Sequence, residues 1–228
     1  MCGRFTLTID STGLQAAFPG LLLPEDGPPL APRYNIAPTQ SVATILNGET
    51  PRLRHLRWGL IPFWAQDAQT GARLINARAE TLAEKPSFRT AFRRRRCLIP
   101  ADGFYEWQRL SSGCKQPVYV RLQSGGVFAF AGLWECWSSP GGGPADALHS
   151  CAIITTAPNE LLEPIHNRMP VILSPSAYQA WLAPGDIAPP ALQPLLRPYP
   201  AAEMNAYPVA RTVNNPRNDS PDCVQPVE

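Results

Sequence analysis

Short runs of apolar, β-branched and aromatic residues, separated by turn sequences, dominate the chain between residues 41 and 173. The runs are SVATIL, CLIPADGFYEW, PVYVRL, VFAFAGLWECW, SCAIITT and MPVIL, and the turns between them include NG, SSG, SGG and SPGGG. Such runs are typical of strands, and NG between SVATIL and PRLRHLRWGLIP predicts a hairpin. Because no strand–helix–strand rhythm occurs, the pattern predicts an α+β fold with a mostly antiparallel sheet.

Helix signals are few and short. Ser11 is placed to cap a helix that runs to Phe18, and SPSAYQAWL predicts a second one, with Ser174 before Pro175 as its start. The segment from NARAETL to AFRRRR has mixed helical character and is interrupted by Pro86. We therefore expect short helices on the flanks of the sheet.

No block of the sequence is long or repetitive enough to separate two domains. The proline-rich stretch LLLPEDGPPLAPRYNIAPTQ is interpreted as an ordered loop. We expect one domain over residues 1–228, with a core over 1–213 and a loosely held tail over 214–228.

Composition excludes several classes of protein. No apolar stretch approaches the roughly 20 residues that cross a bilayer, and the amino terminus lacks the pattern of a signal peptide, so we expect a soluble, cytoplasmic protein. The six cysteines lie far apart and show no zinc-ligand spacing, which predicts free, mostly buried thiols, no metal and no cofactor. Cys2 alone lies at a chain end outside any apolar run.

Positive charge is concentrated in one segment. The whole chain has a net charge of +2, but residues 51–96 contain eleven cations and three acids, a net charge of +8. Eighteen of the 20 cations are arginine, whose planar fork suits phosphate oxygens. For the run Arg93 to Arg96, contact with DNA and a solvated, salt-bridged face are both open.

Three polar residues lie in apolar surroundings. Glu106 stands between Tyr105 and Trp107, His166 precedes an apolar strand, and Asn76 opens NARAET. Each has a purely structural interpretation: the glutamate on the solvent face of its strand, the histidine in a core hydrogen bond. Taken singly, none of the three establishes a function.

Eight motifs occur together in order: MCGRF, RYNIAPTQ, RWGLIPFWA, INARAET, FRTAFRRRRCLIPADGFYEW, FAGLWE, TTAPN and IHNRMPVIL. In order and approximate spacing they resemble the SRAP (SOS response-associated peptidase) family, from Met1 to about Val213. The resemblance implies a barrel-like core of antiparallel strands, flanking short helices and a basic channel for single-stranded DNA. It also implies a protein that crosslinks covalently to abasic sites in the DNA damage response, with associated lyase and self-processing peptidase activity.

This family role gives the opening MCGRF a chemical meaning. Removal of Met1 leaves Cys2 with a free α-amine and a thiol on adjacent carbons, and an amine condenses with the aldehyde of a ring-opened abasic sugar. An α-amine with a pKa of about 8 is roughly a tenth neutral at pH 7, whereas a lysine is neutral on the order of two hundred times less often. The thiol then closes a stable thiazolidine ring.

The resemblance assigns roles to the three buried-looking polar residues. Glu106 matches the family's acid/base, which opens the sugar ring and moves protons during imine formation. His166 matches a histidine that holds the sugar or its 3′ phosphate, and Asn76 an amide that positions the Cys2 end. The implied catalytic residues are Cys2, Asn76, Glu106 and His166.

The resemblance also implies a set of DNA-binding residues. Three arginines would contact phosphates without reading sequence: Arg4, Arg78 and Arg168. A pair of loops would line the channel and stack beside bases. The residues of this loop pair are Asn35, Pro38, Phe63 and Trp64.

Two other functions remain open on the sequence. An exposed amino-terminal cysteine also defines amino-terminal nucleophile hydrolases, although their layered pattern of strands and helices is missing here. The chain is alternatively a noncatalytic module that binds single-stranded DNA. For the crosslinking role, the expected partner is single-stranded DNA with abasic sites, and the replication machinery is a further candidate partner. We expect a monomer that is associated with the nucleoid when it is bound to DNA.

Overall fold

Two β-sheets form the framework of the protein, whose computed structural model describes residues 2–24, 30–143 and 146–227. The strands of these ranges are β1 (Arg4–Leu7), β2 (Arg33–Ile36), β3 (Ser41–Leu46), β4 (Arg52–Trp58), β5 (Asn76–Arg78), β6 (Arg96–Ala101), β7 (Gly103–Arg109), β8 (Lys115–Leu122), β9 (Phe128–Trp137), β10 (Leu148–Thr156), β11 (Met169–Pro170), β12 (Ile172–Leu173) and β13 (Met204–Pro208). The α+β class and the mostly antiparallel pairing expected from the sequence are confirmed.

The helices are short and lie outside the sheets' cores. They are α1 (Ser11–Ala17), α2 (Arg89–Arg94), α3 (Tyr178–Leu182) and α4 (Pro189–Leu192), with several 3₁₀ turns between them. Asp10, not Ser11, caps α1, because its side chain accepts a hydrogen bond from the backbone N–H of Gly13. In the SPSAYQAWL segment, a 3₁₀ turn over Pro175–Ala177 precedes α3, and Ser174 makes no capping bond.

The larger sheet closes on itself into a five-stranded barrel. Its strands follow the circular order β10–β4–β3–β6–β9, and β9 pairs again with β10. The predicted hairpin is confirmed, since β3 and β4 pair antiparallel from Ser41 opposite Arg57 to Leu46 opposite Arg52. β10 pairs in parallel with both β4 and β5, which the sequence did not indicate. Closure leaves the ring without a free edge.

The smaller sheet has the order β13–β8–β7–β1–β2 and packs on the barrel. Phe5 of β1 and Phe104 of β7 each contact Phe130 of β9 edge to face, so aromatic rings join the two sheets. On β7, alternation places Phe104 and Glu106 on the face toward the barrel, and Tyr105 on the opposite face, in a separate cluster with Tyr119. The amino-terminal strand β1 is thereby held between β2 and β7, with Phe5 against the barrel.

The carboxy-terminal segment is packed, which differs from the loosely held tail expected over residues 214–228. Val213 and Cys223 are fully buried against the outer face of the smaller sheet. The carboxylate of Asp219 accepts hydrogen bonds from the backbone N–H of Asn35 and from the Arg33 side chain. This segment is polar because its side chains bind groups of β2. The sequence shows no local sign of such a long-range contact.

Some expectations fall partly outside the described residues, namely Met1 and its removal, and residues 25–29 of the proline-rich loop. Within the described ranges, no helix has the length and apolar character needed to span a membrane.

Candidate active site at the amino terminus

Cys2 lies directly before β1, where that strand enters the space between the two sheets. Its side chain is fully buried, and Sγ lies 3.9 Å from the backbone oxygen of Arg4. Burial, followed by the nearby negative charge of Glu106, raises the pKa of the Cys2 thiol far above its usual range. The thiol is therefore held protonated, and it lies within the field of the Glu106 carboxylate.

Asn76 binds the backbone of Cys2. It opens β5, where parallel pairing sets it opposite Ile153 of β10, and its Nδ2 donates a hydrogen bond of 2.8 Å to the carbonyl oxygen of Cys2. Its Oδ1 is buried and accepts no hydrogen bond from the described residues. The amide therefore holds the amino-terminal residue with its donor and retains an acceptor for another group.

Glu106 is buried rather than facing solvent on β7. Its side chain is 2% exposed, so the interpretation as a surface residue of an aromatic strand does not hold. Burial raises the pKa of Glu106 to about 7. A carboxyl group with this pKa exchanges a proton readily at neutral pH, which is the property a general acid/base needs.

His166 lies with two arginines at a cavity of about 690 Å³. Its Nδ1 accepts a hydrogen bond of 3.1 Å from the backbone N–H of Arg168, and burial lowers the pKa of the ring. The loop that carries His166 is tied to β7 because Gln108 donates to the carbonyl of Pro164. The structure thus brings the histidine loop to the strand that carries Glu106.

Of the two arginines at this cavity, only Arg78 is exposed without an ion pair among the described residues. Arg168 donates two hydrogen bonds to the carboxylate of Glu80, at 2.7 and 2.9 Å, and one to the carbonyl of Thr155. The guanidinium of Arg168 holds the pKa of Glu80 below its usual range. A phosphate that binds Arg168 therefore competes with Glu80.

Arg4 and Asn35 are occupied by protein partners. The amide nitrogen of Asn35, a fully buried residue, donates to the carbonyls of Val213, Asn215 and Asn218. Arg4 donates to the Asn35 side chain and to the Val213 and Asn214 carbonyls. In this structure Asn35 holds the carboxy-terminal segment, and Arg4 donates two hydrogen bonds to the same segment and a third to Asn35 itself.

Pro38, Phe63 and Trp64 lie on two neighbouring loops. The backbone N–H of Thr39 donates to the carbonyl of Trp58, which joins the loop of Pro38 to the end of β4. Phe63 and Trp64 follow on the second loop with 57% and 48% of their surface exposed. Exposed aromatic rings are suited to stacking on bases.

The Arg93 to Arg96 run is paired within the protein. Arg93 and Arg94 both bind Asp186, and Arg95 binds Glu135. Arg96 is buried and donates to backbone carbonyls of α2 and of the α3 end, including Trp181. These contacts assign the run a structural role in joining α2 and α3 to the barrel.

The described residues contain no group of three or more histidine, cysteine or acidic side chains that is placed to hold a metal, and all six cysteines are free thiols.

Sequence reasoning missed two residues at the site, Trp107 and Glu80. The guanidinium of Arg4 lies over the Trp107 ring, 5.9 Å from its centre, on the face of β7 opposite Glu106. Alternation from Glu106 along GFYEWQ is the signal that identifies this position. Glu80 in NARAET is the counter-ion of Arg168, which the sequence could not show because the two residues are 88 positions apart.

A buried carboxyl group lies beside Cys2, whose carbonyl is held by an asparagine on β5, the strand that pairs with β10 of the barrel. This grouping defines a protein with a candidate nucleophile at Cys2. The SOS response associated peptidase (SRAP) family model matches residues 1–216, and the chain belongs to this family. The abasic site processing protein YoqW of Bacillus subtilis (strain 168) is 51% identical over 227 residues, and the alignment covers 99% of each chain. The abasic site processing protein HMCES of Mus musculus is 31% identical over 236 residues, covering 86% of this chain and 65% of its own. A crystal structure of a protein from Bacteroides thetaiotaomicron superposes with a TM-score of 0.86 at 26% identity, covering 100% of each chain.

Proposed function

We propose that this chain processes abasic sites in single-stranded DNA by forming a covalent crosslink through Cys2 once Met1 has been removed. The observation that carries the proposal is the grouping of Cys2, Asn76 and Glu106: the amide binds the Cys2 carbonyl at 2.8 Å, and a carboxyl group with a pKa of about 7 lies beside the thiol. The relatives named abasic site processing proteins, such as YoqW and HMCES, support the choice of substrate.

The first chemical step joins the Cys2 amine to the aldehyde of the ring-opened sugar. The nitrogen attacks the carbonyl carbon, and the resulting carbinolamine loses its hydroxyl group as water to give an imine. Protonated Glu106 supplies the proton that lets this hydroxyl leave, and the carboxylate then takes a proton from the nitrogen. A group with a pKa of about 7 is present in both forms at neutral pH.

The second step closes the ring. The Cys2 sulfur adds to the imine carbon, the C–S bond forms, and the thiol proton ends on the nitrogen, so that no oxidant or reductant is needed. Because burial keeps the thiol protonated, its proton has to leave as the bond forms. Glu106, whose charge acts on this thiol, is the group placed to relay it.

The surroundings favour single strands. Exposed Phe63 and Trp64 stack best on unpaired bases, and Arg78 at the His166 cavity binds a phosphate without reading sequence. We expect crosslinking to single strands and to single-to-double-strand junctions, weak reaction with continuous duplex, and binding that weakens with salt. Equal yields on duplex and single strand under matched conditions would contradict this preference.

The test is the intact mass of the purified protein before and after mixing with a single-stranded oligonucleotide that carries one abasic site. The first mass shows whether Met1 has been removed. The expected second mass is protein plus oligonucleotide minus one water. A denaturing gel of the same mixture reports strand cleavage, and so any lyase activity.

The matched control is the same chain with a tag fused ahead of Cys2, which retains the thiol but converts the amine into an amide. It should bind single strands and form no crosslink. If the tagged chain crosslinks as well as the processed one, another nucleophile carries the chemistry. Amide turnover without capture would instead identify a hydrolase, and salt-sensitive retention alone a binding module.

A further inference from the structure

A second polar cavity, of about 670 Å³, lies outside the candidate active site, between β4, the turn over residues 67–74 and Ser87. None of its lining residues lines the cavity of His166. Its polar lining comes from Arg57, Asp67, Gln69, Thr70, Arg73 and Ser87. The crosslinking chemistry proposed above makes no use of it.

Arg57 reaches this cavity with an unsatisfied donor. It lies on β4 between Ser41 of β3 and Ser150 of β10, and its Nε is buried and donates to no acceptor among the described residues. Arg73 lies exposed on the other side of the cavity, and neither arginine forms an ion pair within the described ranges. Buried guanidinium N–H groups are normally paired, so this Nε is available to an acceptor that enters the cavity from solvent.

The charge and donors of the cavity suit a phosphate group. Among the described residues, Asp67 is the only acid in its lining, and its carboxylate already accepts the backbone N–H of Gln69 at 2.8 Å as the cap of the 3₁₀ turn. Two guanidinium groups with the hydroxyls of Thr70 and Ser87 remain as donors. This set matches the oxygens of a phosphate better than a carboxylate, which has only two oxygens.

The position of the cavity relates it to the DNA path. Gly59, with φ of +132°, lets its backbone pass against that of Gly71, where a Cβ atom on either residue would lie about 2.5 Å from the other's carbonyl oxygen. This close approach holds together the two ends of the segment over residues 59–71, which carries Phe63 and Trp64 and contributes Asp67, Gln69 and Thr70 to the cavity. Leu74, in the lining, is two residues from Asn76, a chain separation of at most about 7 Å.

We propose that the cavity between Arg57 and Arg73 binds a backbone phosphate of the single strand, at a site separate from the lesion held at Cys2. This inference rests on the proposed function, because it takes the strand to be the substrate. The site positions DNA and reads no sequence. It adds one phosphate contact to those made near His166 and lengthens the stretch of strand that the protein covers.

The test measures reversible binding of a 20-nucleotide single strand with a central tetrahydrofuran abasic analogue, which lacks the aldehyde and cannot crosslink. Fluorescence anisotropy over a salt series gives the slope of log affinity against log salt for the wild type, Arg57→Gln and Arg73→Gln. Each variant should lower the slope by about 0.7, the value for one phosphate contact on a single strand. Arg197→Gln, which removes an exposed charge outside both cavities, should leave it unchanged.

A second series uses strands shortened from the 5′ end or from the 3′ end. Shortening at one of these two ends, and not at the other, should erase the difference in salt slope between the wild type and the variants. Unchanged salt slopes in both variants would overturn the assignment. If Arg57→Gln fails to fold, Arg73→Gln still tests it, because Arg73 is exposed. If the variants lose binding of inorganic pyrophosphate while the salt slope of DNA binding is unchanged, the cavity is a site for free phosphates. That result would also overturn the assignment. Failure of the proposed function is seen separately, as absence of a covalent adduct between the wild type and an aldehyde-bearing strand.

Discussion

The side-chain amide of Asn76 donates a hydrogen bond of 2.8 Å to the backbone carbonyl of Cys2, across a sequence separation of 74 residues. Asn76 is fixed by the parallel pairing of β5 with β10, so the bond ties the amino terminus to the barrel wall. Strand β1 alone fixes the chain from Arg4 onward. The orientation of the Cys2 amine and thiol toward Glu106 therefore depends on this side chain.

Asn76→Ala should slow crosslinking by roughly 3- to 10-fold, because one net hydrogen bond contributes about 0.5–1.5 kcal/mol. Single-turnover crosslinking to an abasic single strand, at saturating protein, measures the effect. Asn76→Asp should lose more, since a carboxylate cannot donate to the carbonyl. Asn205→Ala is the matched control, because Asn205 is exposed on β13, and it should react at the wild-type rate. An unchanged rate in Asn76→Ala would show that Asn76 does not position Cys2.

Glu106→Gln should slow crosslinking by roughly 10² to 10⁴, the range for loss of a general acid/base, while reversible DNA binding is kept. Because the pKa of Glu106 is about 7, the pH profile of the wild-type rate should change slope near pH 7 as the acid form is lost. The variant's profile should lack that change and follow only the α-amine. A wild-type rate in the variant would return Glu106 to a structural role.

The same variant should alter stability with a definite sign. The pKa of Glu106 is raised by burial from 4.5 to about 7, so the folded protein holds this proton more tightly than the unfolded chain. The corresponding stability is complete below pH 4.5 and is lost as the pH rises to 7. Glu106→Gln should therefore raise the free energy of unfolding at pH 8 by about 1–3 kcal/mol and the melting temperature with it, with little difference at pH 4. A lower melting temperature for the variant at pH 8 would show that the carboxylate stabilises the fold.

Glu80→Gln should tighten binding of single-stranded DNA by a few fold at low salt. The change removes the carboxylate that occupies Arg168 and lets the guanidinium bind a phosphate. Loss of the ion pair should cost little stability, because the Glu80 side chain is 52% exposed. Glu49→Gln makes the same charge change away from the His166 cavity and serves as the control in an anisotropy titration. Equal affinities of the two variants would show that Glu80 does not compete with DNA.

Asn35→Ala should lower the stability of the protein by about 1–3 kcal/mol, because it leaves the Asn215 and Asn218 carbonyls without this donor and removes the side-chain acceptor of one Arg4 N–H group. Thermal or denaturant unfolding measures the loss. Loss of DNA affinity with unchanged stability would instead support the channel-lining role suggested by the sequence. Pro38→Ala provides the comparison, because Pro38 is half-exposed on the loop that follows β2.

The local part of this architecture could be predicted and the non-local part could not. The hairpin of β3 and β4 follows from NG between two strand-like runs, and the burial of Glu106 agrees with its aromatic neighbours on β7. Closure of the barrel by parallel pairing of β10 with β4 has no such signal, because it joins residues about 90 positions apart.

The candidate site shows the same division. The motifs predict Cys2, Asn76, Glu106 and His166 as the site, and in the structure Asn76 binds the Cys2 carbonyl and Glu106 acts on the Cys2 thiol. The partners that change how a residue acts came only from the fold: Glu80 for Arg168, and the 213–218 carbonyls for Asn35. A single sequence shows which residue types are present, and it does not show which acceptors the folded chain supplies.

Cys2→Ser separates the roles of the amine and the thiol. If Met1 is still removed, the variant retains the amine, and its hydroxyl is a poorer nucleophile for ring closure. It should form an imine that borohydride traps, and little adduct that survives heating without borohydride. Cys2→Ala should behave similarly and cleave the strand by β-elimination, because an imine acidifies the neighbouring C2′ proton whether or not a thiol is present. The measurement is a denaturing gel of both variants and the wild type with an abasic oligonucleotide, with and without borohydride. Heat-stable adduct from Cys2→Ala at the wild-type yield would mean that the crosslink does not require the thiol, and that the thiazolidine is not its stable form.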